Sequence, residues 1–122
     1  MDQRKCSEMT AYFDKQIRLC QAQTQTLQSQ DRADEAIFFK IRGNVFDIFQ
    51  TVFFTSLKTG GENEKWAEFF QAKLDQIPKN WKASLDNAQA HGDVEKAYIE
   101  RIKLDAAEEI WEMFEQVWEG RT

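Results

Sequence analysis

Residues 38–54 read FFKIRGNVFDIFQTVFF and hold six of the chain's ten phenylalanines. Their aromatic and β-branched content suits strands, with Gly43-Asn44 as a turn between two of them. The polar positions decide otherwise. Lys40, Asn44, Asp47, Thr51, Thr55 and Lys58 return every three or four residues, and nothing alternates with period two. The stretch is one side of a long helix running from about Arg32 to Lys58. Gly43 costs that helix about 1 kcal/mol relative to alanine, which predicts close approach to a neighbour or a slight bend.

Outward from this stretch, three further segments carry the same periodicity. On the amino-terminal side Cys6, Met9, Phe13, Ile17, Cys20, Thr24 and Leu27 form one apolar stripe, and the polar QAQTQTLQSQ reads as its solvated helical tail. Ser29 or Asp31 is expected to cap the second helix, with Asp34 and Glu35 complementing its dipole. Thr59, Gly60 and Gly61 end that helix, and Asn63 is the expected cap of the third. There Ala67, Phe70, Leu74, Ile77, Trp81, Ser84 and Ala88 keep one register. Pro78 interrupts it by removing the hydrogen bond to the Leu74 carbonyl, so the helix should kink or split. The stripe continues in phase, which favours the kink. Gly92 stops this segment, and Asp93 caps a fourth helix reaching about Glu119.

Four amphipathic helices joined by short links define a single all-α domain over residues 1–122. The simplest arrangement is an up-down-up-down antiparallel four-helix bundle, and two stacked helical hairpins are the alternative. A chain of 122 residues buries enough surface to fold without metal or disulfide support. One proline and five glycines are too few for the turns of a sandwich or barrel. A shift of 61 residues pairs Ala36 with Ala97, Ile41 with Ile102, Arg42 with Lys103 and Phe53 with Phe114. Two related hairpins would give this pattern, and so would any two amphipathic helices slid into phase. AHGDVEKA resembles a tetratricopeptide turn, but the 34-residue period of that family is absent.

The charge and motif content narrows the function. With a net charge of −5 and no basic stripe, the chain is not expected to bind nucleic acid. No apolar run approaches the ~20 residues of a membrane span, and MDQRKCSEMTAYFDKQ lacks a signal-peptide core, so a cytoplasmic protein is expected. Cys6 and Cys20 on one helix stand about 21 Å apart along its axis. That is too far for a disulfide, which needs Cα atoms within roughly 7 Å. The lone His91, beside Gly92 at a helix end, cannot supply the paired Glu-x-x-His motifs of a dimetal bundle. Neither metal nor cofactor is expected. No phosphate loop or activated nucleophile is present, and Glu108, Glu112, Glu115 and Glu119 read as a solvated face. The chain is not expected to be an enzyme.

What remains is surface and shape. The apolar positions of the second helix cover about 200° of its wheel, where a simple bundle needs somewhat over 100°. Either the broad helices sit centrally, or a second copy or another protein covers the surplus. The candidate interface is Phe39, Phe46, Phe54, Trp111 and Trp118, with the second and fourth helices meeting across a homodimer. Arg42 and Lys103 project into apolar arcs, as snorkelling or ion-paired cations or as contacts for a ligand headgroup. The expected function is a self-associating interaction or scaffolding module. The alternative is a bundle enclosing a small apolar or amphipathic ligand.

Overall fold

A computed structural model describes residues 3–60 and 65–119, so Gly61 and the expected cap Asn63 lie outside the described residues. Four helices follow in order, α1 (Gln3–Ser29), α2 (Ala33–Gly60), α3 (Lys65–Ala90) and α4 (Val94–Glu119). There is no strand among the described residues. The fold is an all-α four-helix bundle made of two packed hairpins, α1 with α2 and α3 with α4. Pro78 does not split α3, which runs unbroken across it.

Both hairpin turns are built from the same hydrogen bonds. Asp31 takes a φ of 56°. Its N–H donates to the Gln28 carbonyl at 3.2 Å, and that of Arg32 donates to Leu27 at 2.8 Å. Gly92 takes a φ of 69°. Its N–H donates to Gln89 at 3.2 Å, and that of Asp93 to Ala88 at 2.8 Å. This is the Schellman closure, with a left-handed residue just past the helix end. The four pairs of residues are each 61 apart. Asp93 then caps α4 by accepting the Lys96 N–H on Oδ1 at 3.1 Å. The expected cap of α2 fails. Asp31 is spent closing α1, Ser29 Oγ donates back to the Thr26 carbonyl, and Arg32 occupies the cap position instead.

Burial repeats at the same shift. Phe13 and Leu74, Val45 and Ala106, Phe46 and Ala107, Phe49 and Ile110, and Phe53 and Phe114 are buried in both hairpins. The helices α2 and α4 touch across the centre, and each also packs against both α1 and α3. The backbones of α1 and α3 stay apart, with Phe13 and Phe70 reaching across at 6.4 Å between ring centroids. Much of the broad apolar arcs of α2 and α4 is thus met inside the chain, each by three neighbours, while Ile37, Ile48 and Phe54 of α2 stay exposed. One end of the bundle is aromatic, where Trp66 sits edge-on to Phe53, Phe114 and Trp118 at 5.1–6.3 Å. The turn end holds a smaller cluster of Leu85, Ala88 and Ala97. Gly43 marks the tightest approach of α1 to α2, because a Cβ there would stand 3.1 Å from the Cys20 Cβ.

Candidate functional site

The cations in the apolar arcs are both ion-paired. Arg42, its side chain 15% exposed, lies between the rings of Phe38 and Phe46 and reaches from α2 to Glu109 on α4 at 2.5 Å. Lys103 sits 5.8 Å from the Trp81 ring centre and pairs with Glu100 at 3.2 Å. Glu100 is a buried carboxylate that the sequence did not single out, and its Oε2 makes no hydrogen bond among the described residues. The one available signal was its register, 61 residues from Phe39. Each cation thus has one carboxylate partner within the chain.

The five residues expected at an interface do not share a face. Phe46 is fully buried, in edge contact with Tyr12 at 6.0 Å, so it cannot meet a partner. It sits on the side of α2 turned toward α1, a distinction the wide arc concealed. Trp118 stacks on Phe114 and is covered by α1, where Lys5 Nζ lies 4.5 Å from its ring and donates to its carbonyl at 2.8 Å. Phe39 lines a groove of about 330 Å³ between α1 and α2, with Gly43 and Cys20 in its floor. Trp111 lines a groove on the opposite hairpin, between α3 and α4, with Pro78 and Leu104. Only Phe54 of the five remains an exposed side chain. The helices α2 and α4 also contact each other within the one chain.

Two other grooves match each other under the 61-residue shift. One lies between α2 and α3, has a volume of about 190 Å³, and is lined by Thr51, Val52, Thr55, Phe69 and Lys73, among others. Its counterpart between α4 and α1, of about 210 Å³, is lined by Glu112, Met113, Gln116 and Tyr12, with Gln16 and Glu109. Their chemistry has diverged. Phe69 (45% exposed) lines the first, and Ile48 (43% exposed) stands one helical turn before Thr51 and Val52 of its α2 wall. At the equivalent exposed positions the second has Glu109 and Glu8. Lys65 and Lys73, one turn to either side of Phe69 on α3, make no ion pair among the described residues. The outer side of α4 carries Asp105, Glu108, Glu109 and Glu112, where α2 has Asn44, Asp47, Ile48 and Thr51.

Electrostatics follow this division. Burial, reinforced by Glu109 and Glu112, pushes the Tyr12 hydroxyl up to about 12, so it stays protonated beside the acidic groove. Burial also raises the Cys20 thiol, which works against thiolate chemistry. Cys20 forms no disulfide. His91 Nδ1 lies 2.8 Å from the Asn87 carbonyl, in a helix-terminal position. Among the described residues, no three His, Cys, Asp or Glu side chains are grouped to hold a metal, and no helix is long and apolar enough to cross a membrane. The fold and these grooves define a class, a four-helix bundle of two like hairpins with unlike outer faces. No protein-family model, curated protein or solved structure matches the chain.

Proposed function

We propose that the chain is a non-catalytic, cytoplasmic interaction module that docks to other protein through its α2–α3 face, with self-association as the first mode. One observation carries this reading. Equivalent exposed positions in the two hairpins have the same backbone setting, yet one pair holds Ile48 and Phe69 and the other Glu109 and Glu8. Partly exposed carboxylates, Glu109 paired with Arg42 and Glu8 with Arg4, suit the site in one hairpin, so the fold does not require large apolar groups in the other. Exposed aromatic and aliphatic groups gathered beside a groove favour a covered surface.

Ile48→Glu and Phe69→Glu place charge on this face without touching the core. Each should leave helicity unchanged and shift thermal stability by no more than about 0.5 kcal/mol. Sedimentation velocity should show wild type above its monomer mass and both variants at it. Wild-type association that survives both substitutions would place the contact elsewhere and end this reading.

A second reading rests on the α1–α2 groove. Its volume of about 330 Å³, apolar floor and rim of Gln21, Thr24, Gln25 and Asn44 suit a small amphipathic ligand. This ligand reading differs from an enclosed site, because the aromatic interior is filled. Native mass spectrometry of protein purified without denaturant tests it by looking for a co-purified small molecule.

A further inference from the structure

The α2–α3 face and the α4–α1 face lie on opposite sides of the bundle, since each helix contacts its neighbours in chain order and α1 closes the ring against α4. Their grooves are nearly equal in volume, about 190 and 210 Å³. The first presents Phe69 and Ile48, with Lys65 and Lys73 one turn to either side of Phe69 on α3 and the exposed carboxylates Glu68 and Asp47 beside the two apolar groups. The second presents Tyr12 and Met113, both half-buried, bordered by Glu109, Glu112 and Glu8. Glu109 and Glu8 are held by Arg42 and Arg4, while Glu112 has no ion-pair partner among the described residues.

From this juxtaposition we infer that the occupant of the α2–α3 face is the α4–α1 face of a second copy of the same chain, docked head to tail. The inference rests on the interaction reading above and specifies its partner. Apolar centres meet, Phe69 and Ile48 against Tyr12 and Met113, and the lysines of one copy face the carboxylates of the next. A face pairing with a copy of itself would instead set Lys65 and Lys73 against the same lysines, which like-charge repulsion opposes. Because the complementary faces are on opposite sides, the contact is heterologous and leaves one of each kind open at the ends of every assembly. Association therefore continues beyond two copies as concentration rises. It weakens with salt, because the flanking pairs are exposed and screened within about 8–10 Å at ordinary ionic strength.

Two full-length variants test this, each altering one face. Phe69→Ser/Lys73→Ser removes the aromatic group and the charge from the apolar, cationic face. Glu112→Lys/Gln116→Lys reverses the acidic one at exposed positions. Circular dichroism first establishes that both keep the wild-type fold, and Phe69→Ser with Glu112→Gln serve as milder replacements if either does not. Sedimentation velocity should then show wild type with species larger than a dimer, each variant alone as a monomer, and an equimolar mixture of the two unmixed defects capped at the dimer through the one intact pair of faces. Raising sodium chloride from low to several hundred millimolar should weaken wild-type association by about tenfold. If the acidic-face variant associates as wild type does while the other is monomeric, the head-to-tail pairing is overturned and the α2–α3 interaction reading stands. If both variants associate like wild type, both are overturned. A wild type that stays monomeric throughout overturns the self-pairing, and the interaction reading then has no support from self-association.

Discussion

Glu100 and Phe39 occupy the same place in the two hairpins, and the protein solves that place in two ways. Phe39 packs its ring against Phe38 at 5.0 Å and extends the apolar core. Glu100 is buried with a side chain only 7% exposed, and its charge is answered by Lys103 through one oxygen. Taking a carboxylate out of water costs several kcal/mol, which one ion pair with a partly exposed lysine offsets incompletely. The pair is consequently a dependency more than a source of stability. Lys103→Met should lower unfolding free energy by about 3 kcal/mol, because it strands the Glu100 charge. Glu100→Leu/Lys103→Met should recover that loss and match or exceed wild type, since an apolar pair of similar volume removes the desolvation cost. Urea midpoints at constant slope read both effects, and a neutral Lys103→Met would show that Lys103 does not hold Glu100 in place.

At the scale of the helix, the two turns form an internal comparison. Asp31 and Gly92 take the same left-handed conformation and donate the same hydrogen bond, but only glycine reaches it without crowding its own Cβ. Asp31→Gly should stabilise the protein by about 0.5–1 kcal/mol and Gly92→Asp should destabilise it by a similar amount. Thermal melts would show the opposite shifts, and shifts of one sign would mean that the turns are not equivalent in solution. The sequence pointed to Asp93 correctly and to Asp31 wrongly for a single reason. Aspartate is favoured both as an N-cap and in left-handed turns, and spacing alone does not say which end of the link it serves. The stripes of α1 and α3 and the helical period of FFKIRGNVFDIFQTVFF were legible because 3.6-residue periodicity is local. Which side of the wide α2 arc faces which neighbour was not. Phe46 lies fully inside and Ile48, two residues on, lies 43% exposed, a difference set by where α1 and α3 sit. The unlike outer faces were hidden for the same reason, since Phe69 meets Val52 and Thr55 in one groove only when α2 and α3 are side by side.

For the whole molecule, the arrangement predicts where stability resides. The helices α2 and α4 each contact all three others, while the backbones of α1 and α3 do not meet. Removing α1 or α3 exposes one flank of the core, whereas parting α2 from α4 opens its centre. Phe53 stands at that centre, fully buried and within 5.4–5.8 Å of the rings of Phe13, Trp66 and Phe70. Phe53→Ala should therefore cost about 3–5 kcal/mol, the loss expected when a large ring leaves a cavity that its neighbours cannot fill. That is a large share of the roughly 5–15 kcal/mol available to a domain. Hydrogen exchange under native conditions should follow the same geography. Amides of residues 45–53 and 106–114 should exchange slowest, through global unfolding, and those of α1 and α3 near the two turns should exchange sooner through local opening. Equal protection in all four helices would mean that the bundle opens only as one unit, with no mechanical distinction between its central pair and its flanks. The predicted gradient also bears on association, because Phe69 lies on a flanking helix and Ile48 on a central one. A partner that clamps α2 to α3 would slow exchange mainly in α3, so the change in protection with concentration separates docking at that face from a general tightening of the fold.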